Sequence, residues 1–216
     1  MRISISGICY NSLIDDYKVV MGLKYRCHHL TPGFCNCPRG VVLVSELKDK
    51  RWKEIDGFSN YSVYGKRIGV LFNGFLHWTV VDAEMAHEFW PPNKIIGFDP
   101  KTDEVNEIPL PISKNKEEIC ILGLGVLEGS LCMTCWDPEF CCKGNIEVFV
   151  MKEYGIQESW IPLFDIWGLD INPHSTPLIP LFLTKNGVVV LVMGDWKTSV
   201  FGIILKARST SIWKTK

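Results

Sequence analysis

Two groups of residues in this chain have the types that bind metal. Cys27-His28-His29 is followed closely by Cys35-Asn36-Cys37, and Cys132-Met133-Thr134-Cys135 by Cys141-Cys142. Structural zinc needs thiolates and imidazoles in a tetrahedron, usually supplied as cysteine pairs two to four residues apart. The first group has the ligand types without that spacing. The second has one such pair, but Cys132 falls on a predicted strand whose alternate residues face inward. A buried thiol is the simpler reading, because cysteine is among the most buried residue types. No metal and no cofactor are expected.

Catalysis finds no better footing. The sequence has no Gly-x-Ser-x-Gly elbow, no phosphate-binding glycine loop and no His-Glu-x-x-His helix. His77 lies within a predicted strand, while His87 and His174 lie in loops. Asp15-Asp16 and Glu117-Glu118 read as turn or surface charges. The chain is expected to be non-enzymatic.

What remains is a set of aromatic residues on connecting segments: Phe89, Trp90, Trp136, Phe140 and Trp167, with Glu84, His87 and Asp137 beside them. Aromatic side chains are enriched at binding hot spots, so these eight are the expected partner-binding residues. The alternative is that the aromatics fold back to cover sheet edges.

The elements that must hold those loops are strands. Apolar runs of four to eight residues, rich in Val, Ile, Phe and Trp, are bounded by Gly, Pro, Asn or Asp. No long window keeps a helical period; a short turn around Asp82 to His87 is limited by Pro91-Pro92. Apolar residues at 47% and charged residues at 22% describe a globular chain rather than a disordered one. A net charge of −1 exerts no long-range pull toward nucleic acid or an anionic membrane. The longest strongly apolar run, Val188 to Met193, falls far short of the roughly 20 residues of a membrane span. With no apolar leader, the 9 cysteines read as reduced thiols of a cytoplasmic or nuclear protein.

A repeat organises the strands. Asn73-Gly74 sits between apolar runs, the strongest short hairpin signal, because both turn residues must take positive φ. Turn glycines Gly74, Gly129 and Gly187 fall 55 and 58 residues apart. A second landmark, a large apolar residue after a polar turn, recurs at Trp52, Val105, Trp160 and Trp213, at intervals of 53, 55 and 53. Periods near 50 with several short strands each point to an all-β, kelch-like β-propeller of about four repeats, spaced 53–58 residues. A β-sandwich or an open meander is the alternative.

One unit reads as strand a, Phe75 to Val81; strand b, Ile95 to Phe98; strand c, from Val105; and strand d, Ile119 to Leu127. The glycine hairpins then join one blade to the next. The first unit shows no Asn-Gly hairpin, so part of a blade is expected to be missing and the ring open or imperfectly closed. Strand alternation puts the tight turns on one face. The longer connections, 82–94, 112–118, 134–145 and 165–177, gather on the other, where a recognition surface belongs.

Several of these stretches together resemble a known family. They include Gly7-Ile-Cys-Tyr-Asn-Ser-Leu-Ile-Asp-Asp-Tyr-Lys-Val-Val20, Val44-Ser-Glu-Leu-Lys-Asp-Lys-Arg-Trp52 and Val70-Leu-Phe-Asn-Gly-Phe-Leu-His-Trp78. Ile96-Gly-Phe-Asp99, Glu107-Ile-Pro-Leu-Pro111, Leu122 to Cys132 and Val150 to Trp160 continue the match. Their order and spacing resemble the F-box-associated interaction domain of plant F-box and F-box/kelch-repeat proteins, over about residues 7 to 206. The resemblance implies a single β domain across 1–216 that holds a protein substrate for an SCF-type ubiquitin ligase. In that family an F-box precedes the domain and docks on the Skp–cullin core. Only six residues precede Gly7, so no F-box is expected, and Skp–cullin binding would need one supplied upstream. A glycan- or small-molecule-binding propeller and a non-functional truncated paralogue are the other expectations.

Overall fold

The structure, a computed structural model, describes residues 2–24, 41–58, 60–63, 68–82, 92–112, 119–137, 145–166, 177–185, 188–195 and 199–206. Among them the regular structure is strand throughout, except for one 3-10 turn at Gln157–Ser159. The architecture is propeller-like: short antiparallel sheets built from consecutive strands, one after another along the chain.

The first sheet takes β1 (Arg2–Asn11), β2 (Asp16–Lys24), β3 (Val41–Glu46) and β4 (Trp52–Ile55) in sequence order. The second takes β5 (Tyr61–Val63), β6 (Val70–Phe72), β7 (Phe75–Asp82), β8 (Lys94–Phe98) and β9 (Val105–Ile108). Here β6 pairs with the start of β7 and β5 with its end, so two short strands share one edge position. The third sheet is β10 (Cys120–Leu127), β11 (Ser130–Asp137), β12 (Asn145–Met151) and β13 (Trp160–Ile166). The fourth contains β14 (Leu178–Leu183), β15 (Val188–Asp195) and β16 (Ser199–Lys206). The first two sheets form one compact unit, Met1–Trp90 with Lys94–Ile108. The last two form another, Pro91–Asn93 with Pro109–Lys216.

The turn chemistry behaves as its residues require. Asn73 and Gly74 have φ of 50° and 82°, and Glu128 and Gly129 have 44° and 74°. Positive φ at both positions matches the right-handed twist of the flanking strands. Trp52, Val105 and Trp160 each open a strand, which explains their even spacing. Gly187 and Trp213 lie outside the described residues.

The phase of the repeat differs from the expectation. The glycine hairpins do not join blades; they lie inside sheets. Phe72 pairs with Phe75 across Asn73-Gly74, and Leu127 with Ser130 across Glu128-Gly129. The strand ending at Leu127 therefore opens the third sheet instead of closing the second, because a two-residue turn forces the strands it joins to pair. The first sheet is also complete, with four strands. Its hairpin turns through Ser12 to Asp15 without glycine, with Asp15 at φ 51° and the Asn11 side-chain oxygen accepting from the Leu13 N–H.

Each unit buries a core between its two sheets. In the N-terminal unit Ile5, Val20, Val44, Leu76, Trp78 and Phe98 meet. They alternate along their strands, as residues of one sheet face must. In the C-terminal unit Leu122, Cys132, Val148, Phe164, Leu178 and Val189 do the same. The opening strand of one sheet in each unit approaches the other sheet in parallel. Ser6 bridges Ile68 in parallel, with Gly69 N–H donating to the Ser6 carbonyl at 2.8 Å. Gly123 lies against Leu178 and Gly125 against Pro180, so the contact advances in the same direction along β10 and β14.

Candidate recognition surface

The ends of the sheets are unequal. At the tight-turn end of the N-terminal unit, polar groups stitch the turns together. Lys18, whose side chain is nearly buried, meets Asp103 at 2.5 Å, and Lys53 approaches the other Asp103 oxygen at 3.5 Å. The Asn11 amide donates to the Pro100 carbonyl at 2.7 Å, and Asp16 accepts from the backbone of Lys48. A buried ammonium needs such a partner, since an unpaired one is costly. This end is built for rigidity.

The opposite end carries the long connections. In the first three sheets the link between the second and third strand of the sheet order is long: 25–40, 83–93 and 138–144. Antiparallel alternation puts each at the end away from that sheet's tight turns. The fourth sheet departs from this, since residues 196–198 alone separate β15 from β16.

Of the eight sequence candidates, Phe89, Trp90, Phe140, Trp167, Glu84 and His87 lie outside the described residues. Trp136 and Asp137 close β11, at the long-connection end. Trp136 is half-buried and packs against the C-terminal core, so it serves the sheet as well as any surface. Removing it takes apolar contact from the core. Opposite Asp137 stands Asn145, which is buried, and its amide oxygen has no hydrogen-bond partner among the described residues. The amide oxygen of Asn93, just before β8, is equally unpaired among them. A buried acceptor left unpaired costs about 1–3 kcal/mol, and both asparagines lie close to segments outside the described residues. Sequence reading missed them, because an isolated asparagine gives no signal until its partners are counted.

The thiols and imidazole of the described strands sit in dry surroundings. Cys132 and Cys135 are buried on β11, and burial pushes both thiols well above their usual range. Cys9, on β1, is pushed up to about 12, chiefly by burial. A thiol so raised is a poor nucleophile and a poor metal ligand. Among the described residues no three potential ligands gather as a metal site. Cys27, His28, His29, Cys35, Cys37, Cys141 and Cys142 lie outside them. His77 is buried in β7, its Nδ1–H donating to the Val70 carbonyl at 3.1 Å. Burial lowers its pKa to about 4, so the ring is neutral near pH 7. No helix among the described residues is long and apolar enough to cross a membrane.

Comparison with known proteins places the chain among relatives. No protein-family model matches it. It is similar to the F-box protein CPR1 of Arabidopsis thaliana, 28% identical over 94% of this chain and 50% of that protein. An F-box/kelch-repeat protein of the same plant is 31% identical over 86% of this chain and 44% of its own length. A further Arabidopsis F-box protein is 28% identical over 86% of the chain and 46% of its length. The chain thus spans about half the length of the curated relatives it matches. Across most of its own residues, this β-sheet chain is a relative of the plant F-box proteins.

Proposed function

We propose that the chain is a protein-recognition domain, the part of an F-box protein that holds the substrate of an SCF-type ubiquitin ligase. The observation that carries this is its relation to plant F-box proteins across about half of their length. The sheet ends support it. Stitched tight turns make a rigid base, and long connections at the other end offer variable side chains for contact. Trp90, Trp136, Phe140 and Trp167 are the anchors, with Phe89, Glu84, His87 and Asp137 around them. The role is non-catalytic, without cofactor, in the cytoplasm or nucleus. Skp–cullin engages only through an F-box joined to the chain.

Immobilised chain, incubated with plant extract and read by quantitative mass spectrometry, tests this. The expected result is a specific protein whose retention Trp90→Ala reduces about tenfold or more, a loss typical of an interface hot spot, with the melting temperature unchanged. Retention insensitive to Trp90→Ala and to Phe140→Ala would overturn the assignment of these anchors. Specific binding to a glycan array, with no protein retained, would turn the reading to sugar recognition by the same aromatics.

A further inference from the structure

The first sheet carries apolar side chains on both faces, with Asn11, Asp16 and Lys18 also on the core side and the exposed Glu54 at the edge of the other. Ile5, Cys9, Val20 and Val44 point into the N-terminal core. The residues between them carry a second apolar surface. Tyr10 stands directly opposite Tyr17, ring centroids 5.4 Å apart, and the Tyr10 hydroxyl donates to Asp15 at 2.7 Å. Two residue pairs along, and so on the same face, Ile8, Val19, Ser45 and Trp52 form a row across all four strands. Leu47 continues the Tyr row, its N–H donating to the Tyr17 carbonyl at 3.0 Å. Ile8, Tyr10, Tyr17, Leu47 and Trp52 are each about half exposed.

This concentration is unusual within the chain. Of the 13 large apolar side chains exposed among the described residues, 7 belong to this sheet and its two turns. Since aromatic side chains carry roughly 150–250 Å² each, these residues offer on the order of 600 Å², against about 800 Å² per partner in a standard interface. Monomers rarely expose a contiguous apolar patch larger than a few hundred Å².

We propose that this face is a self-association surface, on which a second copy of the chain packs its own first sheet. Three observations favour a second copy. The sheet already packs its other face against a sheet through the same alternation, and sheet stacking at about 10 Å is what such a face fits. The central positions, Val19, Leu43 and Ser45, hold no charge, as in the apolar centre of homodimer interfaces. At the rim Lys48 pairs with Asp15 at 3.8 Å and Arg51 with Asp49 at 2.8 Å. Those charges are satisfied within the chain and require no oppositely charged partner. A two-fold axis presents the same patch from both copies.

Sedimentation equilibrium of the whole chain, from about 1 to 100 µM, reads the association directly. The expected result is a dimer with a micromolar dissociation constant that Tyr17→Lys and Trp52→Lys each weaken about tenfold or more. Leu71→Lys, at an equally exposed position on β6, leaves association unchanged. Circular dichroism checks that each variant keeps its strands, and if one misfolds the other carries the test. A chain that stays monomeric throughout, including one that holds a different protein on this face, overturns the proposal. So does a dimer indifferent to both folded variants.

Discussion

In the N-terminal unit β1 meets the residues just before β6 at one parallel bridge, Ser6 to Ile68, and a large side chain fills the space beside it. Trp78, from β7, lies under both glycines there. A Cβ on Gly69 would come within 2.8 Å of its ring, and one on Gly7 within 2.7 Å of Leu76. In the C-terminal unit the group nearest each glycine is backbone. A Cβ on Gly123 would stand 2.0 Å from the Leu178 carbonyl oxygen, and one on Gly125 2.3 Å from that of Pro180. The Thr134 hydroxyl donates to the Leu178 carbonyl, satisfying a strand group that the close approach takes from water. The same junction is thus made once by inserting an aromatic side chain and once by removing side chains. Close packing of a repeat can be met from either direction, provided that no void is left.

The contrast can be broken first at Trp78, which is almost wholly buried and meets Phe58 edge-on at 5.7 Å. Trp78→Ala should cost about 3–5 kcal/mol in urea unfolding, the range for removing a buried aromatic residue. Its indole N–H is buried without a partner among the described residues. Trp78→Phe should therefore cost clearly less than Trp78→Ala, since it keeps a ring and discards the orphan donor. Equal losses would show that the ring does not fill the junction.

The C-terminal counterpart is Gly123→Ala, expected to cost about 3 kcal/mol, at the upper end for overpacking, because the group in the way is backbone. If the melting temperature held, β14 would not lie against β10 as described.

Acid should separate the units next. His77 belongs to the N-terminal unit, and its pKa falls from 6.5 to about 4 on folding, chiefly through burial. Above pH 6.5 the ring is neutral in both states, and its contribution to stability is fully present. As pH falls from 6.5 toward 4, the unfolded chain takes up a proton that the folded chain refuses, and stability drops by roughly 3 kcal/mol. Below pH 4 this loss levels off. His77→Gln should flatten the difference between unfolding free energies measured at pH 7 and pH 4.5. An unchanged pH dependence would place the acid sensitivity elsewhere.

The smallest effect sharpens the comparison by its sameness. Nothing lies within 4 Å of where a Cβ would stand on Gly74 or Gly129, so only positive φ resists substitution. Gly74→Ala and Gly129→Ala should each cost about 1 kcal/mol, one in each unit. Unequal costs would mean that the two hairpins are not equivalent.

The strands and turns were legible in the chain because their causes are local. Asn73-Gly74 suits positive φ at both turn positions by residue type, and Gly129 supplies it at the second position of the other hairpin. The polar turns before Trp52, Val105 and Trp160 end one strand and start another within a few residues. Of the loop aromatics only Trp136 falls among the described residues, and its service to the core was not legible. Trp136 packs on the C-terminal core through contacts with residues far along the chain, and spacing carries no record of those.

Sequence by itself determined the all-β character, the period and the tight-turn end, since residue type and spacing set backbone preference directly. Tertiary structure alone decided which strands share a sheet, so that a hairpin read as the joint between blades proved to be the start of one. It also decided that β5 and β6 divide one edge of β7, and that Gly123 and Gly125 admit another strand's backbone. Pairing and close approach depend on groups brought together from distant positions, and no local propensity encodes which of them will meet.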